Sequence, residues 1–255
     1  MHGASTLRLV DLATGAVIRS RALPADVFAE GVTRIPAAAG RPRDRLLQLT
    51  WLSGRALLYD AANLTDVVDL RTPLGDGWGA AYVPESDAVV LSDGSATLSW
   101  VPAADPSAPV ARAVTVTDGG VPVPNLNELE WVRGGALVGG PDGPTTAPGG
   151  EVWANVWGTP CVARIDPGVG VVVGWVVAPA LAGRARALAA APGAKAGPAL
   201  DVLNGVAVNA TSGRLLMTGK NWPAVFEAVL APAAAGAPSL AEARAACVRP
   251  AAEFG

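Results

Sequence analysis

Apolar and polar residues alternate along most of this chain in short runs, and the runs come in pairs. The segments "TLRLVDLATGAVI" (6–18), "ALLYDAANLTDVV" (56–68), "ATLSWVPAADPSAPV" (96–110) and "CVARIDPGVGVVVGWV" (161–176) share one pattern. Each has an alternating apolar stretch, a turn rich in Asp, Pro or Ala, and a second apolar stretch. Alternation with a period of two turns every second side chain to one face of a strand, so each segment is predicted to be a β-hairpin. A weaker fifth copy, "PAVFEAVL" (223–230), supplies one strand before an alanine-rich tail. Between the copies lie further strand-like words: "RLLQLTW", "WGAAYV", "AVVLSDG", "NELEWV", "EVWANVW", "LNGVAVN" and "RLLMTGK". Two strands before each hairpin make units of four, recurring at roughly 40 to 65 residues, which is the pattern of a β-propeller.

Three stretches break the rhythm. Residues 37–44, 136–149 and 182–198 are rich in Ala, Gly, Pro, Arg or Thr and lack periodicity, and they are predicted to be exposed loop insertions. Residues 231–255 form a tail in which "SLAEARAACV" has helical composition; the tail is expected to cap or drape a single domain spanning 1–230.

Composition narrows the choices. With 51% hydrophobic and 16% charged residues over 255 positions, the chain can bury a sizeable core, and its 30 Gly and 22 Pro favour strands and loops over helices. A net charge of -3 without a long Lys/Arg run leaves no basic surface of the kind that follows phosphates, so nucleic acid is not expected as a partner. No apolar run suits a membrane span, and "MHGASTLRLVDL" lacks the apolar core of a signal peptide. The working expectation is a monomer.

Histidine and cysteine exclude more chemistry than they suggest. The single histidine, His2, is expected to have no function, which leaves nothing from which to build a Ser-His-Asp relay, a Cys-His pair or a histidine zinc site. Cys161 and Cys247 stand too far apart for a CxxC motif and are too few for a four-cysteine metal site. They are either buried thiols or a disulfide tying the tail to the body, which requires an oxidising compartment.

In a propeller the innermost strands meet at one end of a central channel, so residues distant in sequence can share one site. Several residues at strand edges are not called for by strand propensity. They are Phe28 and Glu30 in "VFAEGVT", Trp51 in "LLQLTW", Trp78 in "DGWGAAY", Asn127 in "NLNELEW", Trp157 in "ANVWGT" and Lys220 in "TGKNWP". Eight Trp against two Tyr and three Phe is an unusual aromatic balance, and a tryptophan ring must be covered by core, partner or ligand.

The words "FAEGVT", "QLTW", "GDGWGAA", "SDGSATL", "TVTDGGVPVPNLNELEWV", "EVWANVWGTPCVARIDP", "DVLNGVAV" and "TGKNWPAVFE" occur in this order. Together they resemble the glutaminyl cyclase family of the plant and bacterial type, the glutamine cyclotransferases, over about residues 5–230. The resemblance implies an all-β, five-bladed β-propeller that needs no cofactor or metal. It further implies conversion of an N-terminal glutamine of peptides or proteins to pyroglutamate with release of ammonia. Matched word by word, it puts the family's essential acid on Glu30 with Phe28 two residues before it. Pocket tryptophans fall on Trp51, Trp78 and Trp157, the active-site asparagine on Asn127 and the site lysine on Lys220. Trp222 is expected to pack, and Asn125, Glu128, Glu130 and Asp93 to support loops and blades by hydrogen bonding.

These residue types suit the reaction. The neutral α-amine attacks the side-chain amide carbon of its own residue, and one carboxylate can take the proton from the amine and deliver it to the departing nitrogen, a role for Glu30. An amide N–H of Asn127 or the ammonium of Lys220 can meet the oxyanion. Tryptophan surroundings would raise the pKa of Glu30 and Lys220 would lower it, so the residue types leave the sign of its shift open.

The family pattern also has an upstream strand with an "F-T-Q-G" word, and this sequence opens on its first hairpin. One or more strands of the first or closing blade, and any targeting segment, are therefore expected to be absent. The two cysteines and two glycosylation sequons, at Asn63 and Asn209, point to the secretory pathway. Two rival readings stand beside the cyclase. One is a catalytically inactive propeller acting as a peptide- or protein-binding scaffold. The other is a calcium-dependent, lactonase-like propeller that recruits Glu30, Asp76, Asp93 and Glu128.

Overall fold

A computed structural model describes residues 5–136, 138, 143–194, 197–209, 211–230 and 239–251. The expectation for His2 and parts of the 136–149, 182–198 and 231–255 stretches lie outside the described residues. Among the described residues the chain is all-β apart from two α-helices and one short 3-10 turn at 84–86. In order, its first strands are β1 (Thr6–Val10), β2 (Val17–Ala22), β3 (Ala29–Ile35), β4 (Arg45–Thr50), β5 (Arg55–Asp60), β6 (Val67–Arg71), β7 (Ala80–Val83), β8 (Ala88–Ser92), β9 (Thr97–Pro102) and β10 (Arg112–Thr115). There follow β11 (Thr117–Asp118), β12 (Val121–Pro122), β13 (Leu126–Val132), β14 (Glu151–Val156), β15 (Cys161–Asp166) and β16 (Val171–Val177). Helix α1 (Pro179–Ala189), β17 (Leu203–Val208), β18 (Leu215–Gly219), β19 (Phe226–Ala228) and α2 (Leu240–Cys247) complete the chain.

All four predicted hairpins form, as β1–β2, β5–β6, β9–β10 and β15–β16, and three of them are preceded by two strands of the same sheet. The sheets run β3-β4-β5-β6, β10-β9-β8-β7, β12-β11-β16-β15-β14-β13 and β17-β18-β19, with β1-β2 as a separate two-stranded ribbon. The expected five blades are therefore four blade-like meanders and a ribbon among the described residues. The reason is strand supply. Among the described residues the "PAVFEAVL" copy yields only β19, and β1 and β2 pair only with each other.

The prediction for 182–198 needs a second correction. Its first half belongs to α1, because "PALAGRARALA" is a run of strong helix formers with Pro179 in the first turn, where a missing N–H costs nothing. Helix α2 bears out the helical reading of the tail, and Ser239 and Glu242 form a reciprocal capping box at its start.

Packing divides the chain into two compact units, one comprising residues up to 93 with 99–113, the other 94–98 with 114 onward. In the first, one core gathers Ile35, Leu47, Leu49, Val89 and Leu91, and another gathers Leu7, Val27, Leu57 and Tyr59. Within it β3 lies against β7, where Tyr82 N–H donates to Thr33 Oγ1 at 3.0 Å. The second unit has a core of Val132, Trp153, Val162, Val206, Leu215 and Met217. Here β13 and β17, the first strands of their meanders, pack side by side, and Val208 N–H donates to Glu130 Oε1 at 2.9 Å.

The tail is fastened to the second unit by a Cys161–Cys247 disulfide, so the thiol alternative is set aside. Arg244 adds a two-pronged ion pair to buried Asp118 at 2.7 Å per contact, and Trp175 Nε1–H donates to the same carboxylate at 2.9 Å. Burial alone would push the Asp118 carboxyl up, but the guanidinium and the indole N–H hold it below the ordinary carboxylate value.

Candidate active site

Four of the proposed site residues fall in the first unit and three in the second. In the first unit the local frame is β3. Ala29 pairs with Thr50 and Val32 with Gln48, so Glu30 and Gly31 together oppose one residue of β4. This is a β-bulge, which re-aims a side chain that regular pleating would fix. Backbone bonds flank it on both sides. Trp51 N–H donates to Phe28 O at 3.0 Å, and Gly31 N–H donates to Trp78 O at 2.7 Å.

Gly31 is required there. A Cβ on it would stand 2.7 Å from both Gly79 Cα and Trp78 O, which are backbone atoms unable to swing aside. The Phe28 and Trp51 rings meet edge to face at 6.1 Å, and both residues are half-buried, as is Glu30.

Asp76 organises the neighbouring turn, a role the sequence reading did not give it. Its Oδ1 accepts Leu52 N–H at 2.6 Å and Gly77 N–H at 2.9 Å, and its Oδ2 accepts Trp78 Nε1–H at 2.8 Å. The buried Trp78 ring is thus held in place through its own polar edge. The signal was an Asp two residues before a Trp in a Gly-rich turn, "GDGWG". Among the described residues, no group of three or more His, Cys, Asp or Glu could hold a metal ion.

In the second unit β13 repeats the device. Leu126 pairs with Val156 and Leu129 with Ala154, so Asn127 and Glu128 occupy a bulge opposite Asn155. Asn127 is 2% exposed. The strand enters from Asn125, which takes a left-handed conformation at φ 64°. Its carbonyl accepts Trp157 N–H at 2.8 Å, and its side-chain amide donates to Pro250 O, also at 2.8 Å.

Lys220 sits in the turn after β18. Its N–H donates to Val202 O at 2.9 Å and its carbonyl accepts Asp201 N–H at 3.0 Å, fixing the backbone on which the half-buried side chain stands. Asn221 follows at φ 63°, and Trp222 folds back over Gly219, with its Nε1–H donating to Asp201 O at 2.9 Å and its ring edge-on to Phe226. Trp222 packs, as expected.

A surface cleft lined by Arg43, Asp44 and residues 60–63 lies at the opposite ends of β4 and β5 from Thr50 and Trp51, remote from this chemistry.

These features define an all-β protein of three- and four-stranded meanders in which β3 and β13 carry bulged polar residues beside glycine- and tryptophan-bearing turns. The chain belongs to the glutamine cyclotransferase family, whose sequence model matches residues 1–230. It is 34% identical over 242 residues to a glutaminyl-peptide cyclotransferase of Arabidopsis thaliana, covering 92% of this chain and 63% of that relative. The chain thus spans about 63% of the length of that curated protein. The crystal structure of Myxococcus xanthus glutaminyl cyclase matches with a TM-score of 0.65 and 34% identity, covering 87% of this chain and 80% of that one.

Proposed function

We propose that this chain is a glutaminyl-peptide cyclotransferase that converts the N-terminal glutamine of peptides or proteins to pyroglutamate by metal-independent general acid/base catalysis. The observation that carries the reading is the bulge at Glu30, which sets a carboxylate out of strand register between backbone bonds to Trp51 and Trp78. Family membership supplies the reaction class, and the Arabidopsis and Myxococcus proteins are named for it.

In the proposed mechanism the substrate's α-amine nitrogen bonds to its side-chain amide carbon while Glu30 takes the amine proton. The carbonyl π electrons move to oxygen, and the oxyanion is met by an N–H of Asn127 or the ammonium of Lys220. Such a donor is worth about 3–4 kcal/mol in the transition state. Collapse re-forms the carbonyl, Glu30 returns the proton to the departing nitrogen, and ammonia leaves. Phe28, Trp51, Trp78 and Trp157 would form the apolar walls that hold the glutaminyl residue. Because the attack is intramolecular, the protein needs to orient rather than capture a second reactant. Closure of the meanders into a propeller, with 1–230 as one domain and 231–255 as its tail, is part of the same proposal.

The test is a coupled ammonia assay on a short peptide with N-terminal glutamine. The wild-type chain is expected to release ammonia, and Glu30→Gln to fold with turnover lowered at least about 100-fold. Undiminished turnover in Glu30→Gln would refute the assigned role. A silent wild type would refute the activity.

A further inference from the structure

A third bulge occupies the corresponding place in the last meander. Leu203 pairs with Gly219 and Val206 with Met217, so Asn204 and Gly205 together oppose Thr218. In β3 the bulged pair is Glu30-Gly31 and in β13 it is Asn127-Glu128. In each case the bulge falls immediately after the first paired residue of the first strand of its meander. Asn204 is therefore the counterpart in β17 of two residues to which the proposed reaction assigns chemistry.

The surroundings of Asn204 are built and not incidental. Gly205 holds φ at 148°, and its N–H donates to Asn155 Oδ1 at 2.9 Å. A Cβ at that position would stand 2.7 Å from Thr218 Cγ2, so the bulge is locked by close approach. On the other flank the Val202 carbonyl accepts the N–H of Lys220. Asn204 thus stands two residues from the backbone bond that fixes Lys220. Yet its Oδ1 is buried and has no hydrogen-bond partner among the described residues. Asparagine is depleted in strands, and a buried acceptor left unmet destabilises a fold. Neither fact is accounted for by the packing of β17.

We infer that Asn204 is a further substrate-contacting residue, whose Oδ1 accepts an N–H of the glutaminyl residue being cyclised. The inference rests on the cyclotransferase reading. A peptide beginning with glutamine offers nitrogen donors at its α-amine and its side-chain amide, the two groups the reaction must bring together. An acceptor that meets either one narrows the rotamers open to the substrate. Asn155, 0% exposed with its Oδ1 on Gly205 N–H, positions the bulge. Its Nδ2 is also buried without a partner among the described residues, and a direct Asn155–Asn204 amide pair is the structural alternative.

The experiment measures kcat/KM on a glutaminyl peptide and the melting midpoint for wild type, Asn204→Leu and Asn204→Ala, the alanine variant serving if the leucine variant does not fold. The expected result is a midpoint within about 2 °C of wild type and kcat/KM lowered at least about tenfold, the loss of one substrate hydrogen bond. An active wild type with a folded variant within about twofold of it overturns the inference and leaves the cyclotransferase reading intact. So does a midpoint that falls in both variants while kcat/KM per folded molecule is unchanged, which would mark an Asn155–Asn204 structural pair. A wild type that releases no ammonia overturns the cyclotransferase reading, and this inference with it.

Discussion

Reduction of the Cys161–Cys247 disulfide should cost the protein much of its stability without disturbing its secondary structure. The two cysteines are separated by 86 residues, a loop that contains β16, α1 and the whole β17-β18-β19 meander. Closing a loop of that length removes roughly 4–5 kcal/mol of conformational freedom from the unfolded chain, and the stabilisation grows only as the logarithm of length. For a domain of this size each kcal/mol moves the midpoint by about 2–4 °C, so a shift of about 8–20 °C is expected.

The native state retains the Asp118–Arg244 ion pair and the Asn125–Pro250 bond, so the tail should remain docked below the new midpoint. The assay is thermal unfolding followed by circular dichroism, with and without reductant, alongside a thiol titration to establish that both cysteines are free. Cys161→Ser with Cys247→Ser provides a second route to the same state. A shift under about 2 °C with two titratable thiols would refute the reasoning, because the unfolded chain would then gain nothing from the opened loop.

Two further predictions concern the supporting structure. Burial raises the Glu130 carboxyl from 4.5 to about 7, against the pull of the Val208 N–H. The folded state therefore holds a proton that the unfolded state releases. Stability should be greatest below about pH 4.5 on this account and fall by about 3 kcal/mol as pH rises through 7, a slope that denaturant titrations of Glu130→Gln should not show. Gly31→Ala places a Cβ against the backbone of Trp78 and Gly79, and should destabilise the first unit by about 1–3 kcal/mol in urea melts. It should also lower turnover by displacing Glu30; a variant as stable and active as wild type would contradict the close approach.

Much of the fold was legible in the sequence, because strands with one buried face must alternate. The hairpins at 6–18, 56–68, 96–110 and 161–176 all formed where the alternation put them. Helix α1 was hidden because its Ala-rich composition merges into the Gly/Pro-rich stretch after it, and low amphipathicity leaves no periodic signal. The short hairpin β11–β12 over Gly119-Gly120, both at positive φ, was likewise unread, as was its parallel bridge to β16. Pairing of Cys161 with Cys247 depends on a Cα separation of 5.6 Å, which spacing along the chain does not encode. The proposed site residues stand out in the sequence as unusual words, but the bulge geometry that several of them share does not. A bulge is a property of two paired strands, so Glu30, Asn127 and Asn204 show their equivalence only when their partners are known. Asp76 escaped because its work is done by accepting three N–H groups across a turn, which composition cannot reveal.

The central claim is that this chain carries out the cyclisation with Glu30 as its acid and base. The most direct test is the mass spectrum of a glutaminyl peptide incubated with purified chain in the presence of chelator, beside Glu30→Gln and a peptide blocked at its α-amine. The account predicts loss of one ammonia from the free-amine peptide with wild type alone. An unchanged mass with wild type, or equal conversion by Glu30→Gln, would contradict it.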